Sequence, residues 1–152
     1  MVVNLRNEKI RILIVEDQMP VAMMMTFLLA RAGCETEVVT TGAKAIRMAQ
    51  EGDFDLITLD VDLPDTSGYE ICRYFKENPF LSDTPIVFVS GRPCEQDVQR
   101  GLELGAADYI EKPFEINDFV FRITSQAKTK NCLSNIFDEN TDTNTQRLCN
   151  TP

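Results

Sequence analysis

The sequence predicts an α/β fold in which five parallel strands form a doubly wound sheet flanked by five helices. Short apolar runs alternate along the chain with longer segments whose apolar residues recur at helical spacing. Most of the short runs lack polar alternation, which is typical of strands buried on both faces. Helical connections between such strands are right-handed crossovers that cover both faces of the sheet. With 152 residues and 43% apolar content, the chain is predicted to form one domain with a core of ordinary size.

Five apolar or β-branched runs are predicted to be strands, at residues 10–15, 34–39, 54–59, 86–89 and 107–111. The first is an unbroken β-branched run, as expected of a central strand. The second alternates, with Glu35 and Glu37 on one side, as expected of an edge strand. The third ends at Asp60, so that a carboxylate directly follows a strand that is predicted to be buried.

The intervening segments are predicted to be helices, which begin near Pro20, Thr41, Gly68, Pro93 and Ile116 and end near Gly33, Gly52, Asn78, Leu104 and Ala127. The first helix has an inward stripe that includes Met24, and the fifth has one that includes Ile116. The fourth has only a thin apolar face, Val98 and Leu102, and an internal Gly101 that costs ~1 kcal/mol relative to alanine. We therefore expect the fourth helix to be the least stable.

Composition argues against several classes of function. A net charge of -9 repels phosphate backbones, so direct binding to nucleic acid is not expected. No apolar run approaches the ~20 residues of a membrane span, and no signal peptide is recognisable, so we expect a cytoplasmic protein without a membrane segment. Five cysteines without a C-x-x-C pair do not indicate a disulfide framework or a zinc site. The absence of histidine excludes Ser-His and Cys-His nucleophile pairs.

Polar side chains follow the predicted strands where the strands end: Glu16, Asp17, Asp60, Ser90 and Lys112. The carboxyl ends of parallel strands form one edge of a sheet, where ligands bind, so these side chains are expected to converge. For Asp60 the simpler alternative is an ordinary turn, because Asp and the nearby Pro64 are common turn residues.

Three carboxylates brought together repel one another, and a divalent cation such as Mg²⁺ or Mn²⁺ relieves that repulsion. Mg²⁺ retains water ligands and so leaves room for a phosphate oxygen. The ammonium of Lys112 and the hydroxyl of Ser90 can bind further phosphoryl oxygens. The set therefore predicts a site that transfers a phosphoryl group to a carboxylate, with Asp60 as the nucleophile.

Several short motifs occur together in the chain: Glu16-Asp17, Asp60-Val61-Asp62-Leu63-Pro64 with Gly68, Ser90 thirty positions after Asp60, Gly105-Ala106-Ala107-Asp108-Tyr109, and Lys112-Pro113-Phe114. Their combined spacing resembles the CheY-like receiver domain of bacterial response regulators in two-component signalling, over residues 9–128. The resemblance implies a flavodoxin-like sheet with strand order 2-1-3-4-5. It also implies a signalling domain whose own chemistry is limited to self-phosphorylation and autodephosphorylation.

By this resemblance, Asp60 accepts a phosphoryl group from a sensor histidine kinase or a histidine phosphotransfer protein. Glu16, Asp17, Asp60 and the backbone carbonyl of Asp62 would hold the metal ion. The alternative for the acidic pair is capping of the first helix, which Pro20 argues against by starting that helix later.

The resemblance also implies that Ser90 and Lys112 bind phosphoryl oxygens, and that Tyr109 turns inward when Ser90 moves toward the phosphate. Asp62 and Arg92 occupy the family positions that line the path of attacking water, and we predict that an ion pair between them prolongs the phosphorylated state. Simpler interpretations are a surface charge for Lys112, an edge-strand aromatic for Tyr109, and two independent surface charges for Asp62 and Arg92.

Three apolar residues are predicted to be exposed. Met23 and Phe27 lie four apart on the first helix, opposite its core stripe, where receivers of this kind meet their kinase. Phe121 lies off the stripe of the fifth helix. The surface formed by the fourth helix, the fifth strand and the fifth helix resembles the family's output and dimer surface, so it is expected to bind a downstream protein effector or a second copy. Single exposed apolar residues are also common without any partner.

The chain divides into a lead-in at residues 1–8, the receiver domain at 9–128 and a polar tail at 129–152 that we expect to be flexible. The alternative for the tail is a docked extension through Leu133, Ile136 and Phe137. No output domain is recognisable after the fifth helix, so we expect a stand-alone receiver that signals to another protein.

Two other functions remain to be distinguished. Asp60-Val61-Asp62 imitates the D-x-D motif of haloacid-dehalogenase-type phosphohydrolases, but here the acidic pair comes before it and the chain is short for their cap. The other is a receiver that serves as a phosphorylation-independent binding module.

Overall fold

The computed structural model describes residues 9–91 and 93–128, and its framework is a single five-stranded sheet. The strands are β1 (Arg11–Val15), β2 (Glu35–Val39), β3 (Leu56–Leu59), β4 (Ile86–Gly91) and β5 (Asp108–Lys112). All neighbours pair in parallel, in the order β2-β1-β3-β4-β5. The fold class and the strand order predicted above are confirmed.

Helices connect successive strands, and a further helix follows β5. They are α1 (Met19–Arg31), α2 (Gly42–Glu51), α3 (Gly68–Glu77), α4 (Glu95–Glu103) and α5, described over residues 116–128. Pro20 lies in the first turn of α1, where its missing N–H is not needed. Thr41 caps α2, because its hydroxyl oxygen accepts a hydrogen bond from the Lys44 N–H at 3.2 Å. Among the described residues, none of the helices combines the length and the apolarity needed to cross a bilayer.

The two faces of the sheet bury different sets of side chains, because successive residues of a strand point to opposite faces. On one face Leu13 belongs to a core that includes Phe75 of α3. On the other face Ile12 belongs to a core that includes Leu29 of α1 and Phe119 of α5. Both faces of the central strands are therefore covered, which explains their lack of polar alternation.

Three residues predicted to face inward are exposed instead: Met24 at 44%, Leu102 at 47% and Ile116 at 53%. In α4 the buried residue is Gly101. A Cβ at Gly101 would lie 3.0 Å from the Phe88 ring and 3.1 Å from the Tyr109 ring. The helix approaches the sheet through a residue without a side chain, and this rotates Leu102 toward solvent.

The loop between β3 and α3 folds back on itself. Asp62 and Ser67 form an antiparallel bridge, and the Gly68 N–H donates to the Val61 carbonyl at 2.7 Å. A Cβ at Gly68 would overlap the backbone carbonyl of Asp60. Only glycine allows this close approach.

The predictions for residues 1–8 and 129–152, including a docked Leu133, Ile136 and Phe137, lie outside the described residues, as does Arg92.

We expect Gly68→Ala to lower the free energy of unfolding by about 3 kcal/mol, the upper part of the range for overpacking, since backbone atoms must move to admit the methyl group. Gly91→Ala is the control, because a Cβ at Gly91 meets nothing within 4 Å. Urea denaturation followed by circular dichroism measures both. Equal stability of the two variants would show that the loop relaxes without strain.

Candidate metal centre and functional site

Carboxylates from two neighbouring strands meet at the carboxyl edge of the sheet. Glu16 follows β1 and Asp60 follows β3, and the backbone N–H groups of both continue the sheet pairing, to Val39 O at 3.0 Å and Val15 O at 3.1 Å. Glu16 and Asp60 are buried, whereas Asp17 is exposed. One carboxylate oxygen from each of the three residues lies within 4.8 Å of the others. The acidic pair and Asp60 thus converge as the sequence predicted.

Lys112, at the end of β5, forms ion pairs with both buried carboxylates. Its Nζ lies 2.6 Å from Glu16 Oε2 and 3.1 Å from Asp60 Oδ2. Burial opposes the charged form of Lys112, but its hydrogen bond to Glu16 and the charge of Asp60 outweigh burial and raise its pKa. Lys112 is therefore an ammonium group in this site rather than a surface charge at a turn.

The remaining hydrogen bonds fix the orientation of the two buried carboxylates. Asp60 Oδ1 accepts from the Asp62 N–H at 3.2 Å, and Glu16 Oε1 accepts from the Gln18 N–H at 3.1 Å. Burial raises the pKa of Glu16, and the bond from Lys112 offsets this only in part. Each of these two carboxylates is bonded through both oxygens, so neither is free to rotate.

The donor set fits a hard divalent cation. The site opens into a cavity of about 490 Å³ lined by Asp17, Asp60, Asp62 and Lys112, with Phe114 among its apolar residues. Mg²⁺ and Mn²⁺ prefer carboxylate, carbonyl and water oxygens. Glu16, Asp17 and Asp60 supply carboxylate oxygens, and Asp62 lines the same cavity.

Ser90 and Tyr109 lie together beneath this edge. Ser90 is buried at the end of β4, and Tyr109 is 8% exposed although β5 is an edge strand. Burial raises the pKa of Tyr109, the hydroxyl of Tyr69 raises it further, and a hydrogen bond with the Ser90 hydroxyl acts in the opposite direction. Tyr109 therefore points inward and interacts with Ser90 in this structure.

Tyr69 was missed by the sequence analysis. It is buried, its hydroxyl donates to the Asp97 carbonyl in α4 at 3.2 Å, and the Arg100 guanidinium lies 4.3 Å from its ring centroid. Its ring also packs against Phe88, which in turn packs against Tyr109. A buried tyrosine needs a partner for its hydroxyl, but the sequence could not identify a carbonyl in another helix as that partner.

The residues predicted to be exposed are exposed: Met23 at 65%, Phe27 at 60% and Phe121 at 70%. On α1 the Arg31 guanidinium covers the Phe27 ring at 5.7 Å. Asp62 is exposed beside the cavity, and its predicted partner Arg92 lies outside the described residues.

Sequence relatives share the described domain. The chain is 38% identical over 112 residues to the sensory transduction protein RegX3 of Mycobacterium bovis, and 36% identical over 118 residues to the DNA-binding response regulator MtrA of Mycolicibacterium paratuberculosis. These matches cover 74% and 78% of this chain but 48% and 51% of those proteins. The chain spans about half the length of the curated relatives it matches.

Solved structures share the fold. The signal receiver domain of a signal transduction histidine kinase from Syntrophus aciditrophicus is 34% identical with a TM-score of 0.72, over 78% of this chain and 90% of that one. The chemotaxis protein CheY4 of Vibrio cholerae is 26% identical with a TM-score of 0.73, over 77% and 98%. The family model of the response regulator receiver domain matches residues 12–124, and the chain therefore belongs to the receiver domains of two-component response regulators.

Proposed function

We propose that Asp60 accepts a phosphoryl group from the phosphohistidine of a sensor histidine kinase or a phosphotransfer protein, in a reaction that depends on Mg²⁺ or Mn²⁺. The observation that carries this proposal is the position of the Asp60 carboxylate. It lies 3.1 Å from the Lys112 ammonium and within 4.8 Å of carboxylate oxygens of Glu16 and Asp17. Lys112 supplies a fixed positive charge, and the carboxylates supply ligands for a divalent cation, which adds further positive charge.

In this reaction the Asp60 carboxylate attacks the phosphorus atom, the P–N bond breaks, and its electron pair returns to the imidazole nitrogen of the donor. The Asp62 N–H keeps Asp60 oriented for attack. The Lys112 ammonium stabilises the negative charge that develops on the phosphoryl oxygens, and the Ser90 hydroxyl binds a further oxygen. Glu16, Asp17, Asp60 and the backbone carbonyl of Asp62 would hold a Mg²⁺ ion, which would supply further positive charge to the phosphoryl group.

The products are an acyl phosphate on Asp60 and a free histidine on the donor, so the domain acts as a signalling acceptor rather than as an enzyme. The contact between Ser90 and Tyr109 supports a coupling in which the new phosphoryl group draws Ser90 and keeps Tyr109 inward. The lifetime of the phosphate is proposed to depend on Asp62 and Arg92.

Two surfaces are proposed for partners. The exposed apolar side chains of α1 suit an apolar helix of the phosphohistidine donor. The face formed by α4, β5 and α5, where Phe121 is exposed, is proposed to bind the downstream effector or a second copy. Although the relative MtrA is named as DNA-binding, we propose that the described domain itself does not bind nucleic acid, because the chain carries a net charge of -9.

Asp60→Asn is expected to abolish phosphorylation, because an amide cannot form the acyl phosphate. The test is incubation with Mg²⁺ and a small acyl phosphate, followed by mass spectrometry of the intact protein. Asp53→Asn, which changes an exposed aspartate three residues before β3, is the matched control and should take up one phosphoryl group like the wild type. Continuous turnover of the donor without phosphoprotein would instead favour a phosphohydrolase, and no reaction would favour a binding module.

Lys112→Ala is expected to slow phosphorylation by about 10²–10³-fold, the range for removing one group that stabilises developing charge. Mg²⁺ should bind at least as tightly as before, because the ammonium no longer competes for Glu16 and Asp60. Phosphorylation kinetics at saturating Mg²⁺ and calorimetric titration separate the two effects.

The control for this variant is Lys76→Ala, which removes a half-buried lysine that bonds the Ser82 and Thr84 carbonyls, at 3.1 and 3.2 Å. If Lys112→Ala lost Mg²⁺ affinity in parallel with its phosphorylation rate, Lys112 would act by supporting the metal. That result would contradict a direct role in stabilising charge on the phosphoryl oxygens.

Met23→Glu and Phe27→Glu are expected to slow transfer from a phosphohistidine protein while leaving phosphorylation by a small acyl phosphate unchanged. Each places a charge on the proposed docking surface without touching the carboxylate site. Phe80→Glu is the control, since Phe80 is 95% exposed. It follows α3, at the end of the sheet opposite the carboxylate site. Full transfer rates in both α1 variants would exclude this surface.

A further inference from the structure

The loop that carries Asp60 and Asp62 is tied to the start of another helix through Asp65. Asp65 Oδ1 accepts from the Gly42 N–H at 2.8 Å, and Oδ2 accepts from the Ala43 N–H at 3.0 Å. Both N–H groups belong to the first turn of α2, where they have no partner within the helix. These two hydrogen bonds hold the pKa of Asp65 below its usual value, so the carboxylate remains charged in this position.

An apolar contact reinforces this tie. Thr66 packs its methyl group directly over Gly42, because a Cβ at Gly42 would overlap Thr66 Cγ2 and would lie 2.8 Å from Ile71 Cδ1. The tip of the loop therefore meets the α2 terminus through the carboxylate of Asp65 and the methyl group of Thr66. It does so at Gly42, a position that only glycine can occupy without a shift.

The tip is mechanically connected to the metal site. Asp62 pairs with Ser67 across the loop, and the Gly68 N–H closes it on Val61. The Asp62 N–H bonds directly to Asp60 Oδ1. These bonds connect the tip of the loop, the Asp62 backbone and the Asp60 carboxylate in one continuous series.

The other acidic loop is connected to the same corner of the fold. The Glu16 N–H donates to the carbonyl of Val39, the last residue of β2, at 3.0 Å. Two residues later Thr41 caps α2, and Gly42 begins it. The corner between β2 and α2 thus contacts the loop that carries Glu16 and Asp17 on one side and, through Asp65, the loop that carries Asp60 on the other.

We propose that Asp65 is a positioning residue that sets the distance between the two acidic loops and thereby the affinity of the site for Mg²⁺. Asp65 does not touch the metal; it fixes the loop whose Asp62 carbonyl and Asp60 carboxylate are the ligands. Groups that orient metal ligands typically change metal affinity by ~10–100-fold when they are removed. The inference rests on the proposed function, because it assumes that the carboxylate cluster binds Mg²⁺.

The structure offers a matched control on the same helix. Thr41 caps α2 by accepting from the Lys44 N–H at 3.2 Å, so Thr41→Ala removes one capping bond of α2 without releasing the loop from Gly42 and Ala43. Any loss of Mg²⁺ affinity that comes merely from weakening α2 must appear in Thr41→Ala as well.

The experiment is calorimetric titration of the full chain with Mg²⁺, for wild type, Asp65→Ala, Asp65→Asn and Thr41→Ala, together with phosphorylation of each by a small acyl phosphate at saturating Mg²⁺. Asp65→Ala should bind Mg²⁺ roughly tenfold more weakly, the lower end of the range for orienting groups. Asp65→Asn, which keeps one acceptor, should recover part of that loss. Thr41→Ala should bind like the wild type, and saturating Mg²⁺ should restore the phosphorylation rate of Asp65→Ala.

Two results overturn the inference alone. Equal affinities in Asp65→Ala and Thr41→Ala would mean that the contact only stabilises α2. Equal losses in Asp65→Ala and Asp65→Asn would mean that the charge of Asp65, rather than its tie to α2, attracts the cation. A wild-type protein that binds no Mg²⁺ and takes up no phosphoryl group would overturn the proposed function, and this inference with it.

Discussion

The structure depends on the compensation of charge at the carboxyl edge of the sheet. Glu16 and Asp60 are 1% and 6% exposed, and both are bonded to the single ammonium of Lys112. Removing one partner from a buried ion pair typically destabilises a protein by about 3–5 kcal/mol, because the other charge remains buried. A fold that buries two carboxylates at this edge therefore needs a cationic side chain beside them, and Lys112 of β5 supplies it.

The strand order makes this delivery demanding. Lys112 is on β5, and β4 lies between it and β3, so Lys112 and Asp60 must bridge two strand spacings, ~10 Å. The extended lysine side chain, the aspartate side chain and the 3.1 Å bond between them together cover this distance. Gly91, the last residue of β4, leaves open space between these two residues, because a Cβ there would meet nothing within 4 Å. The strand order therefore requires a long cationic side chain on β5 and a small residue at the end of β4 if the ammonium is to reach the carboxylates.

The sequence predicted the sheet and the convergence of its polar strand ends, because strand burial and parallel pairing follow from local patterns. It failed where rotation of a helix decides exposure. α1 is apolar around most of its circumference, so its sequence does not determine whether Met24 faces inward, and in α4 the choice of Gly101 over Leu102 follows from the shape of the sheet beneath. Tyr69 and Asp65 were missed because their partners are distant in sequence and are backbone groups, which no pattern of side chains identifies.

Gly101 is the only buried residue of α4, and it contributes no side chain to the core. Most helices are anchored by buried apolar side chains. Displacing such a side chain leaves a cavity, and each cavity is unfavourable. Val98 packs against the core but is only partly buried, and α4 is further held by the Tyr69–Asp97 hydrogen bond and the contact of Arg100 with the Tyr69 ring. Displacement of α4 would therefore expose less hydrocarbon than displacement of a helix with large buried side chains.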